Sequence, residues 1–386
     1  MTLTSTGTQS AGAALLIQNG HNCGGDHLAF GPNLNWPVRL EGGAQQYEYH
    51  LTNFEINGGL NGIVVGSSYL VQDLWLSDGE IASCTGQGIL LLNVSGYYFR
   101  DIDIIKCGYG FTTFPSVGQQ CTAGFVHTVL CDTCNNNGFN ILTNGGGVFN
   151  SDFIGCWASS NGTALAGPTL ENGISINAGT GNISAVCFAE PQCTNNVGAG
   201  IAMYALQEVS IDNPHVFCNS TIGSAVRSGI EVAANVGSFS IVGGFSGKGG
   251  LFPTNNQAYG INVATGASAG YVIRDVNVLA NVTGGIFDGG TGGGVGKTVA
   301  GNFGYTNSGR GEQQILSGNA SLAFNHGLSV TPNVYDILLT PMQNRSSVGI
   351  TSFWVSATSA TQITVTANAA VSGNFFFVWD AKSAGA

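Results

Sequence analysis

Short apolar runs opened by glycine recur along most of the chain. Gly62 opens GIVV, Gly88 GILLL, Gly110 GFTTF, Gly138 GFNIL, Gly173 GISIN, Gly200 GIAMY, Gly229 GIEV, Gly260 GINV and Gly285 GIF, at a mean interval of about 28 residues. A polar turn follows each opening, then a second apolar-alternating run such as YYFRDIDII, VFNSDFIG, EVSID or YVIRDVNVL. A turn rich in Asn, Cys or Gly closes the unit, as in CNNNG, CTNNVGAG and CNST. Alternation with a period of two predicts strands, and no ten-residue amphipathic helix fits between them. Self-similarity at this period is the mark of a solenoid. Two short strands per repeat without helices predict an all-β, right-handed parallel β-helix over residues 1–300, with rungs stacked about 4.8 Å apart.

The pattern stops near residue 310. A Gly/Ser-rich stretch, 301–318, reads as a linker or last irregular rung. The nearby GGTGGGVGKT imitates a phosphate loop but has Thr291 where the first glycine belongs. Residues 319–386 then read as three or four antiparallel strands: SLAFNHGL, VYDILLTP, SFWVSATSATQITVTA and NFFFVWDA. A small C-terminal β-sandwich is expected there, with Phe353, Trp354, Phe375, Phe376, Phe377 and Trp379 offering apolar surface to partner subunits.

Composition narrows the partners. Charged residues make up 8% of the 386, the net charge is −11 and glycine supplies 60 residues. No basic stripe exists to neutralise phosphates, which argues against nucleic acid. The longest charge-free stretch alternates Ser and Thr with apolar residues, a strand pattern that argues against membrane insertion. The first basic residue is Arg39, so no secretory signal is read, and the ten cysteines are expected as free thiols. Cys131 and Cys134 have CxxC spacing without a second pair, and no metal or cofactor is expected. Asn135, Asn136 and Asn137 before Gly138, and Asn195 and Asn196 before Gly200, suit hydrogen-bonded ladders at stacked turns. Cys84, Cys107, Cys134, Cys156, Cys193 and Cys218 stand near rung ends, where small side chains suit an interior stack.

With these rungs and the C-terminal strings AFNHGLSVTPNVYDILLTP, FWVSATSATQITVTA and FFFVWDAK, the chain resembles phage tailspike and tail-fibre proteins of the pectate-lyase-like β-helix superfamily. The resemblance implies a homotrimer in the virion tail that binds a bacterial surface polysaccharide. Many relatives cleave that polysaccharide by hydrolysis or β-elimination. It also implies an end domain that helps trimerise the spike and contacts glycans. A recognisable virion-attachment domain is not found at the N-terminus, so attachment through a baseplate or adaptor protein stays open.

Hydrolysis needs two carboxyl groups about 5 Å apart for retention or about 6.5–9.5 Å for inversion. Aligning rungs on their late cysteines puts Glu80, Asp103 and Asp152 four residues before Cys84, Cys107 and Cys156. Asp78, Asp101 and Asp212 stand six residues before Cys84, Cys107 and Cys218. Ile102 and Ile104 then face inward and Asp101 and Asp103 outward. This predicts Glu80 one rung from Asp103, and Asp152 two rungs, roughly 9.6 Å, from it. Glu80, Asp101, Asp103 and Asp152 are the catalytic candidates, with Glu171, Glu190, Glu208 and Glu231 in reserve. A solvated polar face is the alternative for all of them. Trp75, Tyr97, Tyr98, Tyr109 and Trp157 are candidate sugar platforms, because rings present flat apolar surface at wet interfaces. Arg100 is the candidate cation. β-Elimination would need cations to hold enolate charge, and Arg100, Lys106, Arg227 and Arg274 form no cluster in sequence. Hydrolysis therefore ranks above a lyase, and a non-enzymatic receptor-binding fibre is the rival. His127 and His215 lie on different rungs without a visible partner.

Overall fold

The glycine-led openings fall into one column. In the computed structural model, Ile63, Ile89, Phe111, Phe139, Ile174, Ile201, Ile230, Ile261 and Ile286 pair in register, each with the next, through one parallel sheet. All nine side chains are buried. The structure describes residues 2–3, 13–18, 21–32, 34–41, 47–66, 69–163, 171–206, 208–249, 255–267, 270–290 and 296–382. Part of the GGTGGGVGKT stretch, residues 291–295, lies outside them. The chain forms two compact units, Met1–Lys297 and Thr298–Ala386.

The first unit is a right-handed parallel β-helix. Its second sheet is built from the long strands Tyr47–Asn57, Val71–Ala82, Val94–Ile105 and Gln120–Asp132, followed by the shorter Gly147–Ile154, Asn182–Ala189, Val209–Asp212, Phe239–Val242 and Tyr271–Arg274. A third row, Trp157–Ser159, Gln192–Thr194, His215–Phe217 and Phe245–Gly247, continues the far end of Gln120–Asp132. The long strands are not straight. Each bends at a residue in the left-handed region, and these residues stack: Asn53, Asp78, Asp101, Thr128, Gly155, Glu190, Asn213, Gly243 and Asp275 all have φ between 47° and 70°. Asn and Asp tolerate this conformation better than other side chains, which explains how often they occupy the corner.

A second left-handed corner precedes the interior turn ladder. Ser83, Lys106, Thr133, Ser160, Asn195 and Cys218 have positive φ. The residue after each points inward, giving one column: Cys84, Cys107, Cys134, Asn161, Asn196 and Asn219. Within it Asn161 Oδ1 accepts from Cys134 N (2.9 Å), Asn196 Oδ1 from both Asn161 N and Nδ2 (3.0 Å each), and Asn219 Oδ1 from Asn196 Nδ2 (2.8 Å). Gln257 and Asn281 carry the ladder onward. Of the asparagines expected in such ladders, Asn137 and Asn196 are buried, while Asn135 is exposed and Asn136 and Asn195 half-buried. The other late cysteines occupy different columns. Cys193 aligns with Ala158 and Cys131, and Cys156 precedes Trp157, which shares the column of Asp103.

The second unit contains two three-stranded antiparallel sheets. One runs Ser308–Ile315, Phe375–Lys382, Ile337–Pro341, and the other Ser321–Asn325, Gln362–Ala367, Phe353–Thr358. Two expectations change. Ser308–Ile315, inside the segment read as linker, is a full strand paired with Phe375–Lys382. The aromatic residues expected to face partners mostly fill the unit's own core: Phe375, Phe377 and Trp379 are buried and Phe353 packs against them. Trp354 and Phe376 are the exposed ones of that set. Alternation along 375–382 explains this, since a two-residue period can present only one face to solvent.

Candidate functional site

The side chains that project from the long strands before the corner form an aromatic ladder. His50, Trp75, Tyr98 and Phe125 pair in register on successive rungs. His50 and Trp75 stack with centroids 5.9 Å apart, Trp75 and Tyr98 at 4.1 Å, and Tyr98 and Phe125 at 5.4 Å, with interplanar angles of 5°, 14° and 8°. Trp75 is 42% exposed and Phe125 40%. The next residue in this column is Asp152, followed by Cys187, Ser210 and Ser240. Two positions along each strand runs a polar column, Thr52, Ser77, Arg100 and His127. Together the two columns line a groove of about 310 Å³.

Beyond the corner the outward column is different: Glu55, Glu80, Asp103, Leu130, Trp157, Gln192 and His215. Glu80 therefore stands beside Asp103 one rung apart, as the sequence predicts, and Glu55 extends the row by a third acid. Asp152 does not belong to it. Two rungs after Asp103 comes Trp157, 41% exposed, and Asp152 instead closes the aromatic ladder on the other side of the corner. The expected Asp103–Asp152 separation across one face is overturned. The cause is the cysteine anchor: Cys156 and Cys107 sit in different interior columns, which shifts the alignment by five residues.

Asp101 is a corner residue with φ 54°. It accepts from Thr128 Oγ1 in the next rung and pairs with Arg100 at 3.2 Å. Arg100 also reaches Asp78 at 3.8 Å. One rung earlier in the corner column, Asn53 and its neighbour Thr52 both donate to Asp26 at 2.8 Å, which holds that carboxyl down to about 2. These acids thus satisfy the bends of the coil.

Three of the ring candidates do not line the groove: Trp157 stands beyond the corner in the column of Asp103, and Tyr97 and Tyr109 lie elsewhere. Tyr97 is fully buried, and its hydroxyl donates to Ser151 Oγ at 2.8 Å across two rungs. Its ring occupies the space above Gly124 of the next rung, where a Cβ would lie 2.0 Å from the ring. Adjacent residues on a strand face opposite ways, so Tyr98 outward requires Tyr97 inward. Tyr109 lies on the other sheet, opposite Gln87. Burial there raises its hydroxyl pKa. Among the reserve acids, Glu190 is a corner residue, Glu171 is buried, and Glu231 pairs with Arg227 at 2.7 Å, with burial raising its carboxyl pKa. His50 and Phe125 are the residues that sequence reasoning missed. The signal was available: positions 50, 75, 98 and 125 recur at the rung period.

No family model matches the chain, and no curated protein matches it. Among solved structures, the chain is similar to the tailspike protein gp49 from Pseudomonas phage LKA1, with 11% identity, a TM-score of 0.45, and coverage of 97% of this chain and 68% of that one. It is also similar to the A-module of the mannuronan C-5 epimerase AlgE4 from Azotobacter vinelandii (12%, TM-score 0.38, 78% and 83%). A third is the tailspike gp61 of Pseudomonas phage phi297 (10%, TM-score 0.37, 93% and 67%).

Proposed function

We propose that this chain is a tailspike-like receptor-binding protein of a virion tail that holds a bacterial surface polysaccharide on its aromatic face and hydrolyses it. The observation that carries the reading is the outward ladder His50–Trp75–Tyr98–Phe125 beside Thr52, Ser77, Arg100 and His127. An exposed row of rings running across rungs has no packing duty to the interior. Flanked by hydrogen-bonding side chains, it offers what an extended glycan needs, apolar surface for C–H patches and polar groups for hydroxyls. For cleavage, Glu80 and Asp103 stand on neighbouring strands about 4.8 Å apart, close to the separation of retaining glycosidases. In this reading one carboxyl protonates the leaving oxygen while the other attacks the anomeric carbon, and water deprotonated by the first then displaces the second from the sugar. The protein acts as a homotrimer.

Reducing-end release from purified capsule or exopolysaccharide tests the hydrolytic step. Asp103→Asn keeps the side chain's shape and removes its ionisable group, so release should stop while the polysaccharide stays bound. Unchanged release in Asp103→Asn and Glu80→Gln would sink the pair. Retention without release by the wild type would make the protein a binding fibre, and unsaturated products would make it a lyase.

A further inference from the structure

The ladder rings cover one another. Trp75 has His50 on one face and Tyr98 on the other, and Tyr98 has Trp75 and Phe125, all near-parallel. Each of these two is flanked by a ring on both sides, so neither offers a whole free face to a sugar. The stack ends at Phe125. In the next rung its column holds Asp152, and then the short side chains Cys187, Ser210 and Ser240. The drop from rings to short side chains leaves a ledge at the far face of Phe125. Beyond it the same column opens into a hollow of about 440 Å³ lined by Ala185, Cys187, Glu208, Ser210, Ser238 and Ser240.

We infer that a single uncharged pyranose ring of the bound polysaccharide stacks on the far face of Phe125, with Asp152 accepting hydrogen bonds from its hydroxyls. This rests on the reading of the aromatic face as glycan-binding and deepens it. Trp75 and Tyr98 are then backing that fixes the plane of Phe125, not platforms. Ring stacking buries the apolar C–H patch, and a carboxylate is a strong acceptor for paired hydroxyls. Asn150, exposed two positions before Asp152, and His127, two after Phe125, stand at the sides. The charge of the ledge selects the sugar. Asp152 follows Phe125 in its column, Glu208 lines the hollow and Asp212 accepts from Cys187 Sγ at 3.7 Å, while the cations in the adjoining column, Arg100 and Arg274, are paired with Asp101 at 3.2 Å and Asp275 at 3.9 Å. A uronate would meet unscreened carboxylates there.

Saturation-transfer NMR on the full chain tests the inference. The probes are methyl glycosides of glucose, galactose, mannose and N-acetylglucosamine, with sodium glucuronate as the acidic comparison. The wild type should saturate the C–H protons of at least one neutral glycoside and none of glucuronate. Phe125→Leu removes the flat face, and Asp152→Phe covers it by extending the stack. Both should weaken binding about tenfold or more, while Phe287→Leu, at an exposed ring on the other sheet, stays within about twofold of wild type. Thermal unfolding that matches wild type shows that the variants are folded, as suits a ring 40% exposed. Full saturation by Phe125→Leu or by Asp152→Phe overturns the inference and leaves the glycan reading standing. Preference for glucuronate overturns the uncharged assignment. A wild type that saturates no probe but retains polysaccharide overturns the inference alone, and one that retains neither overturns both.

Discussion

The rungs before residue 135 and those after it are built on the same coil but filled differently, inside and out. Before it, the interior turn column holds Cys84, Cys107 and Cys134, and the outer column holds four stacked rings. After it, the interior column holds Asn161, Asn196 and Asn219, and the outer column holds Asp152, Cys187 and Ser210. Both changes happen across one rung boundary. The backbone does not demand them, because the left-handed corners continue unbroken from Asn53 to Asp275. Stacking is thus a property of the coil, and what is stacked is chosen column by column. Inside, thiols stack by packing and weak contacts to backbone carbonyls, and amides by hydrogen bonds to one another. Outside, the rings form the face that we propose holds the ligand.

Cutting the amide ladder should separate the two regions most strongly. Asn196→Ala removes bonds to Asn161, Asn219 and the carbonyl of Ala158 and leaves buried polar groups unpaired. A loss of about 3 kcal/mol or more is expected in urea unfolding. Cys107→Ala, at the matching position among the thiols, loses packing and only weak thiol contacts to the carbonyls of Ile105 at 3.6 Å and Ile81 at 3.9 Å, and should cost about 1 kcal/mol. Equal losses would show that the two halves of the column are held in the same way.

Tyr97 sharpens the outward–inward distinction. Tyr97→Phe keeps the ring above Gly124 and gives up one hydrogen bond to Ser151, for about 1 kcal/mol. Trp75→Ala, on the exposed face, should change stability by less than that and weaken polysaccharide retention instead. A Trp75→Ala protein that unfolds early would make the ladder a structural device.

The last contrast concerns pH. Burial pushes the thiols of Cys134 and Cys156 up to about 12. In the unfolded chain a thiol titrates near about 8.5. The folded state binds its proton more tightly, so this stabilisation is complete below about 8.5 and is lost as pH rises through about 12. Urea midpoints should fall over that window, and fall less when both residues are alanine.

The solenoid was legible because its signal is redundant. Each glycine-led apolar run repeats the same column, so an error in one rung does not move the others. Trp75 outward followed from alternation within its strand, and Glu80 beside Asp103 from the alignment on Cys84 and Cys107, which do share an interior column. The site was only half legible, for three physical reasons. Cysteine is small and apolar enough for several interior columns, so Cys156 was a false anchor and Asp152 was misplaced. Left-handed corners break the two-residue period, so Asp101 read as a face residue when it turns the chain. The parity of Tyr97 and Tyr98 depends on the Gly124 space in the next rung, a contact between residues far apart in sequence.

Retention on immobilised bacterial surface polysaccharides, measured for wild type and Tyr98→Ala side by side, tests the central claim most directly. Tyr98 sits between Trp75 and Phe125, and removing it breaks the stack without touching the core. The account predicts that wild type retains at least one polysaccharide and that Tyr98→Ala loses about tenfold or more of that affinity with its unfolding unchanged. Equal retention by both proteins would contradict the claim that the aromatic face is where the molecule holds its ligand.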